Sequence, residues 1–134
     1  MNIFIDTNVY LDIALQREPF VDDSLAIFEK ASDSKVVLFI APHSLATIYY
    51  ISSRAIGKSE ALVLIQNLVE LTQVANFDHN DSIKALELNG SDFEDSMVIS
   101  AAISNRAECI ITRNPKDFKC SPIAIFTPEE FLKS

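Results

Sequence analysis

The segment Ile3-Phe4-Ile5-Asp6-Thr7-Asn8, close to the start of the chain, decides how the fold is read. Its three apolar residues are typical of a short strand that is buried on both faces, as in a parallel sheet. Asp6 ends this apolar run, and Thr7-Asn8 supplies side chains of the kind that cap helix N-termini. The segment therefore predicts a buried strand, a carboxylate at its carboxyl end, and a helix that begins directly afterwards.

Four further apolar runs have the length and the polar boundaries of short strands. They cover residues 36–40, 74–77, 109–111 and 123–125. Between them, apolar residues recur at three- and four-residue spacing, which predicts helices. Strands separated by helices indicate an α/β fold: a Rossmann-like three-layer sandwich around a central, mostly parallel sheet, in a single domain over residues 1–134.

Proline in a first turn and small polar residues before an apolar period mark where helices begin. On these grounds we expect one helix from Pro42 to about Ala55 and a capping box at Thr127-Pro128-Glu129-Glu130. The other expected helix starts or caps are Pro19, Ser59, Asp81, and either Ser91 or Asp92.

The composition fits one globular domain and limits its partners. The 134 residues are 49% hydrophobic and 22% charged, and the formal net charge is −8. This charge argues against binding nucleic acid through a broad basic face, but it is compatible with a nuclease whose acids hold metal ions. The two cysteines lack metal-site or disulfide-framework spacing and no signal sequence is visible, so we expect a cytoplasmic protein. Pro42 interrupts the uncharged stretch 36–53, which argues against a membrane span.

Acidic residues stand at the ends of predicted strands and at one helix start. Asp6 follows the first strand, Asp117 lies in the turn after residues 109–111, and Asp92 and Asp95 begin the helix before that strand. In such sheets, ligands bind at the carboxyl ends of the strands. Crowded carboxylates need bound cations or raised pKa values, and hard oxygen ligands suit Mg²⁺ or Mn²⁺. Taken one at a time, Asp6 and Asp92 also fit ordinary helix caps.

Three segments taken together resemble the signature segments of PIN domains. They are Phe4-Ile5-Asp6-Thr7-Asn8-Val9, Asp92-Phe93-Glu94-Asp95 and Ile111-Thr112-Arg113-Asn114-Pro115-Lys116-Asp117-Phe118. PIN domains are Mg²⁺- or Mn²⁺-dependent ribonucleases, and many small bacterial ones are the toxins of VapBC-type toxin–antitoxin pairs. The resemblance implies a PIN-like fold, an RNA substrate, a divalent metal ion and a small antitoxin protein as partner.

The resemblance also implies roles for individual residues. Asp6 and Asp95 would be the metal ligands and, together with Asp117, the catalytic acids. Asp117 is the third candidate because Asn114 stands where the family's last acid falls. The supporting residues would orient Asp6, hold the strand-end turn or contact the ligand; they are Asn8, Thr47, Asp92, Thr112 and Asn114.

Thr47 departs from the family pattern, which usually has a Glu or Asp in the helix after the second strand. A neutral hydroxyl is a weaker partner for a metal ion, so this residue weakens the expectation of catalysis but not that of the fold. The alternative interpretation is a PIN-fold module that binds RNA or protein and has weakened catalysis. A phosphoryl-transfer enzyme with Asp6 as nucleophile is disfavoured, because position 8 is Asn where an acid is needed.

Few positive charges lie close to these segments. Arg113, Lys116 and Arg54 are the candidates for contacts to RNA phosphates. Ile48, Tyr49, Tyr50 and Ile51 crowd the helix after the second strand. Such residues usually belong to the core, and some of them are candidates for a homodimer or antitoxin groove. The histidines His43 and His79 have no evident catalytic partner in the sequence, and we expect ordinary surface or capping roles for them.

Overall fold

A sheet of five parallel strands forms the centre of the molecule, in a computed structural model that describes residues 1–32 and 35–134. The strands are β1 (Asn2–Ile5), β2 (Val37–Ile40), β3 (Gln73–Val74), β4 (Cys109–Ile111) and β5 (Ala124–Phe126). Their order across the sheet is β3-β2-β1-β4-β5, and each neighbouring pair is parallel. The predicted α/β sandwich with a mostly parallel sheet is thus confirmed.

Helices pack on both faces of this sheet. They are α1 (Thr7–Ala14), α2 (Val21–Ser32), α3 (Pro42–Ile56), α4 (Lys58–Leu71), α5 (His79–Glu87), α6 (Phe93–Ser104) and α7 (Pro128–Lys133). A single turn of 3₁₀ helix, Pro115–Phe118, follows β4. No helix in the described part of the chain is long and apolar enough to cross a membrane.

The central strand β1 is buried on both faces, as its apolar run predicts. Ile3 and Ile5 pack into a core with α1 to α4 and α7, whereas Phe4 packs into the opposite core against α6. Phe4 also stacks on Phe39 of the neighbouring strand, with 6.3 Å between the ring centroids. Full burial of one such side chain stabilises the fold by about 1.5–3 kcal/mol. This burial fixes β1, and with it Asp6, at the carboxyl edge of the sheet.

Four predicted helix starts or caps were wrong by one to three residues. Asp6 itself caps α1 by accepting from the Thr7 backbone N–H, so Thr7-Asn8 already belongs to the helix. Asp78, not Asp81, caps α5, because Asp81 is the third helical residue of a capping box. The two remaining corrections are that Gly57 rather than Ser59 precedes α4, and that α2 begins at Val21 rather than Pro19.

Backbone geometry explains these last two corrections. Gly57 has φ +90°, a conformation that residues with a side chain rarely adopt, and this lets α3 end and α4 begin at the same residue. Before α2, the N–H groups of Phe20 and Val21 both donate to the Arg17 carbonyl, so Pro19 lies in a turn. The predicted start of α3 at Pro42, the Asp92 cap and the Thr127 capping box are confirmed.

Candidate active site

Asp6 lies where β1 gives way to α1, and its carboxylate is held by two donors. It is 5% exposed. One oxygen accepts from the Thr7 backbone N–H at 2.8 Å, and the other accepts from the Thr112 hydroxyl at 2.9 Å. Thr112 stands at the end of the neighbouring strand β4, so two adjacent strand ends fix this carboxylate. Burial raises the pKa of Asp6, and the hydrogen bonds from Thr112 and Thr7 oppose that rise.

Asp95 lies in the first turn of α6 and belongs to the same group of acids. Asp92 caps this helix and accepts from the backbone N–H of Glu94 at 2.8 Å and of Asp95 at 3.3 Å. The pKa of Asp95 is raised to about 7, first by burial and then by the charges of Asp6, Asp92, Asp117 and Glu94. The structure thus brings these carboxylates within electrostatic reach of one another. Such mutual repulsion is what a bound cation relieves.

The turn after β4 connects Asp117 to this group. The Asn114 N–H donates to the Thr112 hydroxyl at 3.2 Å, and the Asp117 N–H donates to the Asn114 carbonyl at 3.0 Å. The Thr112 hydroxyl therefore accepts from the turn while it donates to Asp6. Through this sequence of bonds, Asn114 acts on the geometry of the turn that carries Asp117.

The start of α3 closes another side of the site. The Ser44 and Thr7 hydroxyls are 2.6 Å apart and hydrogen-bonded, which ties α3 to the residue next to Asp6. Thr47, one turn further on and half-buried, donates its hydroxyl to the His43 carbonyl at 3.1 Å. Its hydroxyl is thus engaged within its own helix. Asn8 lies half-buried in the first turn of α1, two residues after Asp6.

His43 is a residue that the sequence interpretation missed. Its Nε2 atom is buried and has no hydrogen-bond partner among the residues that the structure describes. Burial lowers the pKa of His43, and the charge of Glu94 from the start of α6 opposes this. His43 on α3 is therefore partly buried and within electrostatic reach of Glu94 at the start of α6, in contrast to the surface or capping role that we expected. The sequence around His43 carries no signal of this, because Glu94 belongs to a distant segment.

The three predicted phosphate contacts have different surroundings. Arg113 places its Nε 2.7 Å from a carboxylate oxygen of Asp12, which is fully buried on α1. Lys116 is exposed in the 3₁₀ turn. Arg54 stacks on the Tyr50 ring at 4.7 Å and lies ten residues beyond Ser44, about 15 Å along α3. Arg113 is close enough to Asp6 for its charge to oppose the rise that burial causes in the pKa of that carboxyl. Lys116 only precedes Asp117 in the chain, and the structure does not bring Arg54 to these acids.

The donors present fit a Mg²⁺- or Mn²⁺-like ion held by few protein ligands. Within residues 1–32 and 35–134, no group of three or more His, Cys, Asp or Glu side chains is arranged to hold a metal ion. Mg²⁺, however, is commonly bound through one or two carboxylates and keeps several waters. Each Asp6 oxygen accepts one hydrogen bond and retains a lone pair, and the Asp95 carboxylate is partly exposed. Asp6 and Asp95 are thus chemically suited to share such an ion.

A parallel sheet that carries crowded carboxylates at its carboxyl edge defines a Rossmann-like α/β domain with an acidic, cation-compatible centre. The chain belongs to the PIN domain family, which it matches over residues 2–116. This membership confirms the resemblance drawn from the three sequence segments.

The chain also resembles individual proteins and solved structures. The chain is 29% identical to "Ribonuclease VapC1" of Aquifex aeolicus (strain VF5) over 136 residues, which covers 98% of this chain and 93% of that protein. Its fold is similar to that in VapBC2 from Rickettsia felis bound to a promoter DNA fragment, with a TM-score of 0.75 and 20% identity. The match covers 94% of this chain and 97% of that chain. It is also similar to the Sarcin-Ricin loop cleaving toxin VapC20 of Mycobacterium tuberculosis, with a TM-score of 0.65 and 12% identity. That match covers 81% of this chain and 86% of the other. These two structures support the fold.

Proposed function

We propose that the protein is a metal-dependent endoribonuclease, the toxin of a VapBC-type toxin–antitoxin pair. The observation that carries this proposal is the group of carboxylates around Asp95, whose pKa is raised to about 7 by burial and by its acidic neighbours. An arrangement that costs electrostatic energy in the free protein is typical of a functional site. Membership of the PIN family and the ribonuclease name of the relative from Aquifex aeolicus support the same reaction.

The residues of the chain divide the work of such a site. Asp6 and Asp95 would hold the divalent ion, Mg²⁺ or Mn²⁺, and Asp117 would complete the acidic rim. A divalent ion bound there would activate a water and stabilise the charge that develops on a phosphodiester. Thr7 and Thr112 keep the Asp6 carboxylate in one orientation through their hydrogen bonds, so it need not reorganise when the ion binds. Asn114 supports Thr112 in that role.

The proposed partners follow from the same assignment. RNA is the substrate, and a small antitoxin protein binds the toxin, as in the VapBC complex from Rickettsia felis that the fold resembles. A homodimer and a cytoplasmic location complete the proposal. The location is consistent with Cys109 and Cys120 both being free thiols in this structure.

The experiment that tests this proposal is RNA cleavage by the purified protein. Single-stranded RNA is incubated with Mg²⁺, with Mn²⁺ and with EDTA, and the products are resolved on a denaturing gel. We expect cleavage with either metal and none with EDTA. Asp6→Asn should abolish cleavage, because it removes one ligand charge while the amide oxygen can still accept from Thr7 or Thr112. Cleavage by Asp6→Asn at the wild-type rate would contradict the proposal.

A second candidate function is a PIN-fold binding module with weakened catalysis. It is favoured by Thr47, which lacks the carboxylate of the family pattern and whose hydroxyl bonds to its own helix. In that case RNA would bind in a filter or anisotropy assay but remain intact at every metal concentration. The cleavage assay above therefore separates the two candidates directly.

A further inference from the structure

A cavity of about 190 Å³ opens beside the acidic site, at the same edge of the sheet. Its lining residues are Phe20, Asp23, Arg113, Thr127, Pro128 and Glu129. Arg113 directly follows the end of β4, and Thr127 follows β5. These two strand ends are joined by a hydrogen bond from the Thr112 N–H to the Phe126 carbonyl at 2.9 Å. The cavity therefore lies over β4 and β5, next to the strand end that contacts Asp6.

One wall of this cavity pairs an aromatic ring with a guanidinium group. The centre of the Arg113 guanidinium lies 4.2 Å from the centroid of the Phe20 ring. Phe20 is 38% exposed, although it is a large apolar side chain. The Arg113 Nε lies 2.7 Å from the buried Asp12 carboxylate, and this ion pair restrains the guanidinium. A partly exposed surface of this kind is suited to stacking with another planar group.

The charges around the cavity favour a neutral planar ligand over a phosphate. Arg113 shares the Asp12 carboxylate with Arg17, at 2.7 Å and 3.8 Å respectively, so its positive charge is partly offset before any ligand binds. The lining also contains the carboxylates of Asp23 and Glu129, which can accept hydrogen bonds from N–H groups; Lys133 pairs with Glu129 at 2.9 Å, so charges of both signs lie around the cavity. Nucleobases combine a planar face with N–H groups along their edges.

We propose that this cavity is a nucleobase subsite, in which a base of the RNA substrate stacks on the Phe20–Arg113 pair. The proposal rests on the proposed ribonuclease function and adds to it a place for a nucleotide that flanks the cleaved bond. Consecutive residues connect the two places: Thr112 bonds to Asp6, and Arg113, whose Cα is about 3.8 Å further along the chain, bonds to Asp12. A base held here would position the neighbouring phosphate toward the acids.

A fluorescent base provides a direct test that needs no cleavage. The probe is a single-stranded ribo-oligonucleotide of mixed sequence with one 2-aminopurine, placed at each position in turn. It is titrated in Mg²⁺ with the full-length Asp6→Asn protein, so that the RNA stays intact. We expect quenching of 2-aminopurine at one or two positions. Phe20→Leu in the same background should remove that quenching and weaken RNA binding about fivefold to 100-fold, as loss of one base–aromatic stack does.

Two further variants serve as controls. Tyr50→Leu removes a similar ring, 57% exposed with the Arg54 guanidinium 4.7 Å above it, and should change neither quenching nor affinity. Phe20→Trp keeps a flat ring and should keep both. Thermal melting of each variant checks that the strand-end turn remains folded.

The possible outcomes separate this subsite from the proposed function. If Phe20→Leu binds and quenches as its parent does, the subsite is wrong even when the wild type cleaves RNA. The same holds if Phe93→Leu, which removes an exposed ring on α6, abolishes the quenching and Phe20→Leu does not. An absence of quenching at every position also overturns it. Failure of the wild type to cleave RNA with either metal ion overturns the proposed function instead, and the binding assay still decides on the subsite.

Discussion

Two helix starts in this molecule share one sequence pattern but have opposite electrostatics. Asp78-His79-Asn80-Asp81 begins α5, and Asp92-Phe93-Glu94-Asp95 begins α6. In each, the first Asp is the N-cap and the second is the third residue of the helix. Yet the pKa of Asp81 is lowered, whereas that of Asp95 is raised to about 7.

The difference comes from what each second Asp contacts. Burial raises the pKa of Asp81, but hydrogen bonds from the Ser104 hydroxyl and from the Asp78 backbone N–H, with the charge of Lys84, lower it below its usual value. Asp81 closes a reciprocal capping box and is therefore a structural acid. The cap at α6 is one-sided: Asp92 accepts from the helix, and no hydrogen bond to the Asp95 carboxylate is found among the described residues. Asp95 instead faces other acids.

The largest expected effect is on RNA cleavage. Asp95→Asn should reduce the cleavage rate by at least about 100-fold, because it removes a charge from a site organised around a cation. Asp81→Asn should leave the rate per folded molecule unchanged, since Asp81 contacts α5 and α6 and not the group of acids around Asp95. The measurement is the initial rate with Mn²⁺, well below each melting temperature. Equal losses in the two variants would remove the distinction between the helix starts.

The sequence was sufficient to predict the sheet and the acids at its edge. The run Ile3–Ile5 is buried on both faces as expected, and Asp6 and Asp95 lie at a strand end and a helix start because that pattern is local. Which Asp caps α5 was predicted wrongly: the Asp81 N–H donates to the Asp78 carboxylate and the Asp78 N–H donates to Asp81, so Asp78 is the cap of a capping box. The contact of Asp81 with Ser104, 23 residues away, could not be read from the sequence.

Contacts between distant segments were the part that could not be predicted. Asp12 is a single acid in an apolar helix, and nothing in its neighbourhood indicates that Arg113 from the turn after β4 would bond to it. The bond between Ser44 and Thr7 is equally nonlocal. For this reason the sequence suggested a phosphate contact at Arg113, whereas the structure adds an ion pair and an aromatic neighbour.

The second prediction concerns stability at neutral pH. Asp81→Ala should lower the free energy of unfolding by about 1–3 kcal/mol, because it removes an N-terminal cap interaction and leaves the Ser104 hydroxyl without that partner. Asp95→Asn should instead keep or raise stability when metal is absent, because it relieves repulsion among the acids. Urea unfolding in EDTA measures both values. A clear loss of stability in Asp95→Asn would indicate that Asp95 is a structural acid like Asp81.

The third prediction concerns how stability changes with pH. The folded-state pKa of Asp95, about 7, exceeds the usual unfolded value of about 3.9, so between these values the folded protein binds more protons than the unfolded chain. The contribution of Asp95 is therefore fully present below about pH 4 and is lost as pH rises through 7. Asp95→Asn should match the wild type near pH 4 and exceed it at pH 8 by about 1–2 kcal/mol, a value reduced for the exposure of this side chain.

Asp81 should show the reverse dependence and provides the control for that experiment. Because its pKa is lowered, its contribution is present above about pH 4 and lost as pH falls further. Melting curves of both variants in EDTA, from about pH 3 to pH 8, cover the range in which each contribution is lost and test the two signs together. A constant gap between Asp95→Asn and the wild type at every pH would show that titration of Asp95 is not the cause.

The smallest expected effect is at Thr47 on α3. An acid added there should join the acidic group around Asp95 and leave the capping box at the start of α5 unchanged. Ser44, one turn earlier on α3, bonds to Thr7 beside Asp6, and His43 experiences the charge of Glu94. By helical spacing Thr47 lies on the face of Ser44, so a longer side chain there can reach toward the acids. Thr47→Glu should tighten Mn²⁺ binding about threefold to tenfold, that is, by up to about 1.4 kcal/mol, and lower stability without metal. Thr47→Gln has the same length without the charge and should do neither. Calorimetric titration of Mn²⁺ compares the three proteins. Equal tightening by Gln would assign the effect to shape, and unchanged binding in the Glu variant would mean that position 47 does not face the metal site.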